Sequence, residues 1–98
     1  MELIEWLTNW YTSNCDGDWE HSYGIKIDTL DNPGWSFEAD LLDTIHEGKK
    51  MSMKSLGSDD DWYEVSSDGK VFTGAGDPTK LSLLLGLFKE FIENQRLE

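Results

Sequence analysis

The chain has 98 residues, enough for one domain with a real but modest core, and its five Trp, three Tyr and four Phe argue against disorder despite 29% charged residues. Twenty acids against eight bases leave a net charge of −12, which repels phosphate backbones and anionic lipid, excludes nucleic acid and membrane surfaces as direct ligands, and favours basic partners. A lone Cys excludes an internal disulfide, no run of about 18 apolar residues is present to span a membrane, and the start MELIEWLTNWY lacks the basic region of a signal peptide, so the expected compartment is the cytoplasm.

In chain order, the first element reads as a helix over Glu2 to Ser13. Leu3, Leu7 and Trp10 form one stripe, Ile4 and Tyr11 lie beside it, and Trp6 sits one turn before Trp10. CDGD then ends the helix, since Asp-Gly is a turn signal. From Ser22 the period becomes two: Tyr23, Ile25 and Ile27 alternate with polar residues, as in a half-buried strand. DNPG, Asp31 to Gly34, suits a type II turn with Pro33 and Gly34 at its centre, inside a connection somewhat longer than a two-residue hairpin. A second strand follows from Trp35 to Leu41, HEGK (His46 to Lys49) turns the chain, and weaker strands are expected at Met51 to Leu56 and Trp62 to Ser66. SDGK makes a hairpin turn into Val71 to Thr73.

GAGDP places Asp77 as N-cap and Pro78 at the first position of a last helix. Its core stripe is Leu81, Leu84, Leu85, Phe88, Phe91 and Ile92, with Gly86 allowing close approach to a strand. The closing Leu97-Glu98 has the character of an expression-vector remnant and carries no weight. The fold class is α+β: an N-terminal helix, an antiparallel meander sheet of four to five strands, and a C-terminal helix packed on the sheet, in one domain over 1–98.

The densest chemistry is CDGDWEH, Cys15 to His21. Asp16, Asp18 and Glu20 resemble the start of a calcium loop, but His21 and Ile27 stand where Gly and Glu are required. Zinc would need ligands beyond Cys15 and His21, and the only other imidazole is His46. Cys15 follows a helix C-terminus among acids, which opposes a thiolate. GAGD before the last helix lacks a phosphate-binding motif, and nothing places Glu38 and Asp40 around a cleft as a catalytic pair. No catalytic residue, metal ligand or cofactor is assigned.

What remains is clustered acids interleaved with aromatics. Residues 16–47 hold nine acids and one base, Lys26, and 59–68 add five acids with no base. Asp16, Asp18, Glu20, Asp31, Asp59, Asp60 and Asp61 are candidates for steering a partner, with Trp19, Trp35 and Trp62 as anchors.

The stretch W-Y-x-x-x-C-D-G-D-W-E-H-x-Y-G-I-x-I-x-T-L-D-N-P-G-W, Trp10 to Trp35, resembles the immunity protein 53 family of bacterial polymorphic toxin systems. D-D-W (Asp60 to Trp62) and G-x-G-D-P-x-x-L (Gly74 to Leu81) are similar too. The resemblance implies a small non-catalytic cytoplasmic protein, without cofactor, that neutralises a toxin encoded beside it. Many such toxins are basic nucleases, which an acidic inhibitor suits. It implies no site residues of its own. The expected function is therefore an immunity protein binding a cognate toxin domain through an acidic, Trp-containing surface. The alternative is a small metal-binding enzyme or sensor centred on Cys15–His21, and a homodimer through the aromatic face of the first helix is compatible with the first reading.

Overall fold

The structure, a computed structural model, describes residues 2–94; Leu97 and Glu98 lie outside the described residues. Helix α1 spans Leu3–Asn14 and the one-turn α2 Trp19–Ser22. Strands follow at β1 Ile25–Leu30, β2 Gly34–Asp40, β3 Lys50–Ser58, β4 Asp61–Asp68 and β5 Val71–Gly76, and α3 is Leu81–Glu93. All strand pairs are antiparallel, in the order β1-β2-β5-β4-β3. The α+β class, the five antiparallel strands and the two flanking helices stand as expected. The strand order corrects the meander: β3, β4 and β5 form one, but β5 returns to pair with β2. Residues 41–49 therefore cross over the sheet rather than joining neighbours.

Alternation along the strands sets the two faces. Phe37, Ala39, Phe72 and Val65 point to one side and are buried there with Leu84, Phe88 and Ile92 of α3. Phe88 is the hub, its ring lying 5.0 Å from Phe72, 5.2 Å from Phe37 and 5.0 Å from Trp10. The opposite face carries Ser36, Glu38, Glu64, Ser66 and Thr73 and has no helix over it among the described residues, as is usual for an antiparallel sheet with one wet side.

The carboxylate of Glu2 caps α1 by accepting from Glu5 N–H at 2.8 Å. The helix then buries Trp6, Leu7 and Trp10. Trp6 Nε1 donates to Glu93 at 3.0 Å, and the Trp10 ring meets Trp19 edge-on. Trp6 and Trp10 are thus covered from within the chain, while Ile4 and Tyr11 of the same helix remain exposed. Gly86 of α3 faces α1 rather than a strand: a Cβ there would meet Leu3 at 4.0 Å.

DNPG gives a three-residue connection, since Leu30 pairs with Gly34. Gly34 opens β2 with no left-handed φ, so the type II assignment is corrected. The residue is glycine for another reason: a Cβ there would fall onto the carbonyl oxygen of Gly76 on the adjacent strand. Asp77 is also corrected. The last helix begins at Leu81 with Lys80 at its N-cap, and Asp77 caps the turn before it, accepting from Thr79 N–H at 2.8 Å.

Candidate functional site

Register divides the ten expected site residues into two groups. Leu30 pairs with Gly34, and both Trp35 and Tyr63 pair with Gly76. The β1–β2 connection, the β3–β4 turn and the start of the β5–α3 connection therefore share one end of the sheet. Asp31, Trp35, Asp59, Asp60, Asp61 and Trp62 gather there. The segment with Asp16, Asp18, Trp19 and Glu20 lies at the other end, because Trp19 Nε1 donates to Leu42 C=O at 2.9 Å and Gly24 N–H donates to Asp40 at 2.9 Å.

At the first end, Asp31, Asp59 and Asp60 are exposed, and no hydrogen bond to their carboxylates is present among the described residues. Trp35 and Trp62 are half-buried. Trp35 is steadied by a bond from Nε1 to Pro78 C=O at 2.9 Å. Trp62 stands on the open face opposite Leu56, which is 66% exposed. Beneath them lies a buried anchor, Asp77, fully inaccessible. It accepts from Trp62 N–H at 2.8 Å, Lys80 Nζ at 2.7 Å and Thr79 Oγ1 at 2.6 Å. Burial opposes its charge, but the Lys80 ammonium and the Thr79 and Trp62 donors outweigh this and hold the carboxyl well below the usual range. Lys80 also bonds Asp61 at 2.8 Å, and the two carboxylates raise its own pKa. Asp61 is consequently paired, while its neighbours Asp59 and Asp60 keep an uncompensated charge.

At the second end the acids serve the backbone. Asp16 accepts from Asp18 N–H and Trp19 N–H, both at 2.9 Å, and these donors lower its pKa. Glu20 accepts from Asp16 N–H at 3.0 Å and Gly17 N–H at 2.9 Å. This reciprocal arrangement folds CDGD into the start of α2. Asp18 is exposed, but Trp19 is only 4% exposed, packed on Trp10, Tyr11 and Tyr23. Its place as a surface anchor is therefore corrected: it belongs to the core. Cys15 Sγ donates to Tyr11 C=O at 3.3 Å. Among the described residues, no three His, Cys, Asp or Glu side chains are grouped to hold a metal ion.

Sequence reasoning missed His46. It lies in the expected HEGK turn but is 8% exposed, with Nε2 3.1 Å from Ile92 C=O. Its Nδ1 is buried without a partner. Burial lowers its pKa, the Ile92 carbonyl opposes this, and nearby Lys49 adds to the lowering. Nothing local in the sequence marks it, because its partner is 46 residues away.

A family model, immunity protein 53, matches residues 4–93, and the chain belongs to that family. No match is found among curated proteins or among solved structures. No helix among the described residues is long and apolar enough to cross a membrane.

Proposed function

We propose that this chain is a non-catalytic cytoplasmic protein that binds one toxin domain and neutralises it by covering a basic surface. The exposed carboxylates of Asp31, Asp59 and Asp60, at the end of the sheet that also holds the half-buried Trp35 and Trp62, carry this reading. Membership of an immunity family supports a toxin as the partner. Exposed carboxylates without internal partners lose little on pairing with Lys or Arg, and they steer association over a Debye length. Trp62 on the open face and Trp35 on the helix side supply apolar area on either side of that end, to hold the complex once formed. A nuclease domain built to grip phosphate fits this chemistry, the carboxylates occupying positions that phosphates would take.

Isothermal titration against the C-terminal domain of the large protein encoded beside this gene, at two salt concentrations, tests the reading. One-to-one binding that weakens as salt rises is the expected result. Tight binding indifferent to salt would keep the partner and move the interface to apolar surface. Absence of binding would refute the function.

A further inference from the structure

The sheet has two outer edges, and they are guarded differently. β3 carries an irregularity between Leu56 and Ser58 and presents Lys50 and Lys54, features that discourage a further strand. β1 pairs with β2 in unbroken register from Ile25 to Leu30. Because Asp40 N–H donates to Gly24 C=O at 3.0 Å, the even-numbered residues of β1 face β2 with their backbone groups. The alternation turns the N–H and C=O of Ile25 and Ile27 outward, where no further strand lies among the described residues.

The same two residues aim their side chains at the helix side. With Ile4, Leu7 and Tyr11 of α1 they wall an apolar groove of about 470 Å³. Ile4 is 54% exposed, Tyr11 37% and Ile27 42%, so three large apolar side chains left in water by the fold meet in one place. Scattered singly they would need no explanation; adjoining one another along a free strand edge, they mark a contact surface. On the other face of β1, Lys26 stands opposite Glu38, whereas Asp28 stands opposite Ser36, its Oδ1 accepting from Thr29 N–H at 2.9 Å with no cation paired to it among the described residues, and Asp31 follows the last residue of the strand. A second copy of this chain would bring its own charge of −12 to that edge; a basic segment would be drawn to it.

We propose that β1 receives an extended segment of the toxin as an added strand, with apolar side chains entering the groove beside α1 and Lys or Arg side chains lying along Asp28 and Asp31. Strand addition takes its affinity from the main chain and its selectivity from alternate side chains, and both halves of that recognition are present here. The inference rests on the proposed function and gives it a mode of capture. The edge ends at Asp31, so the added strand leads directly to the acidic end of the sheet.

The test measures amide exchange at Ile25 and Ile27, by NMR, in the free chain and in complex with the C-terminal domain of the neighbouring large protein. Both amides should slow in the complex, and Ile27→Asp and Ile4→Asp should each weaken binding by about tenfold or more. Ile45→Asp, at a side chain 89% exposed and away from the groove, should bind as the native chain does. Melting temperatures like that of the native chain keep the variants interpretable. If the native chain binds while both amides exchange as fast as when free, strand addition is overturned and the function stands. If the native chain does not bind, both fall. Protection that appears with rising concentration of this chain alone would put a second copy on β1 and overturn the proposal.

Discussion

Replacing Trp19 by Ala separates a core residue from a surface anchor. Its ring is 4% exposed and lies 6.1 Å from Trp10 and 5.9 Å from Tyr11, both edge-on, and its Nε1–H bonds Leu42 C=O. Truncating a buried Trp to Ala costs about 3–5 kcal/mol. A chain of this length has a total stability of about 5–15 kcal/mol, so the loss is a large share of it. At about 4–8 °C per kcal/mol for a domain of this size, the melting temperature should fall by more than about 12 °C. Trp19→Phe keeps most of the apolar area but strands the Leu42 carbonyl, at a cost of about 1–3 kcal/mol. Thermal unfolding followed by circular dichroism measures both. If Trp19→Ala melts as the native chain does and loses only toxin binding, the assignment of Trp19 to the core is wrong.

Three further outcomes follow from particular contacts. His46 is held neutral, its pKa lowered by burial, so the unfolded chain binds the extra proton. Its contribution is complete above its unfolded value of 6.5 and is lost as pH falls through the lower folded value. Denaturant midpoints from about pH 8 to about pH 5 should decline, and His46→Gln should flatten that decline. Gly34→Ala should destabilise by about 1–3 kcal/mol, because its Cβ meets backbone of the adjacent strand and not a movable side chain; chemical denaturation measures this. Asp77→Ala should lower the melting temperature and loosen the β3–β4 turn, since Trp62 N–H loses its acceptor and the Lys80 ammonium keeps only Asp61 of its two carboxylates. Faster amide exchange at Trp62 would register it.

The two long helices and β2 were legible because each carries its own period: Trp6 and Trp10 one turn apart, Phe37 and Ala39 two residues apart, Leu84 and Phe88 on one stripe. The position of β5 between β2 and β4 was not. Pairing of Phe37 with Gly74 joins residues far apart in the chain, and no local pattern announces it. The same limit hid the anchor under the site: Asp77 looks like a helix cap in GAGDP, yet one of its main partners is the backbone of Trp62. Trp19 misled for a related reason. Surrounded by Asp16, Asp18 and Glu20 it reads as surface, but those carboxylates fold back onto their own backbone and tuck the ring inward.

The net charge of −12 is therefore not one property. Asp16, Asp40 and Asp68 each accept backbone N–H groups at 2.9 Å, and the backbone donors at Lys70 and Val71 lower the pKa of Asp68. These acids organise turns and strand starts. Asp31, Asp59 and Asp60 bond nothing through their carboxylates among the described residues, and only they are at liberty to meet a basic partner at the acidic end. Neutralising the two sets should move different observables. Asp59→Asn with Asp60→Asn should slow toxin association at low salt and leave the melting temperature near that of the native chain. Asp16→Ala with Asp40→Ala should lower the melting temperature, and what it changes in association should follow only from charge. Raising salt to about 1 M shortens the Debye length to about 3 Å. The association difference should then vanish, whereas the stability difference should persist, because hydrogen bonds at contact distance are not screened. If both pairs shift both observables alike, folding acids and steering acids are not separate in this protein.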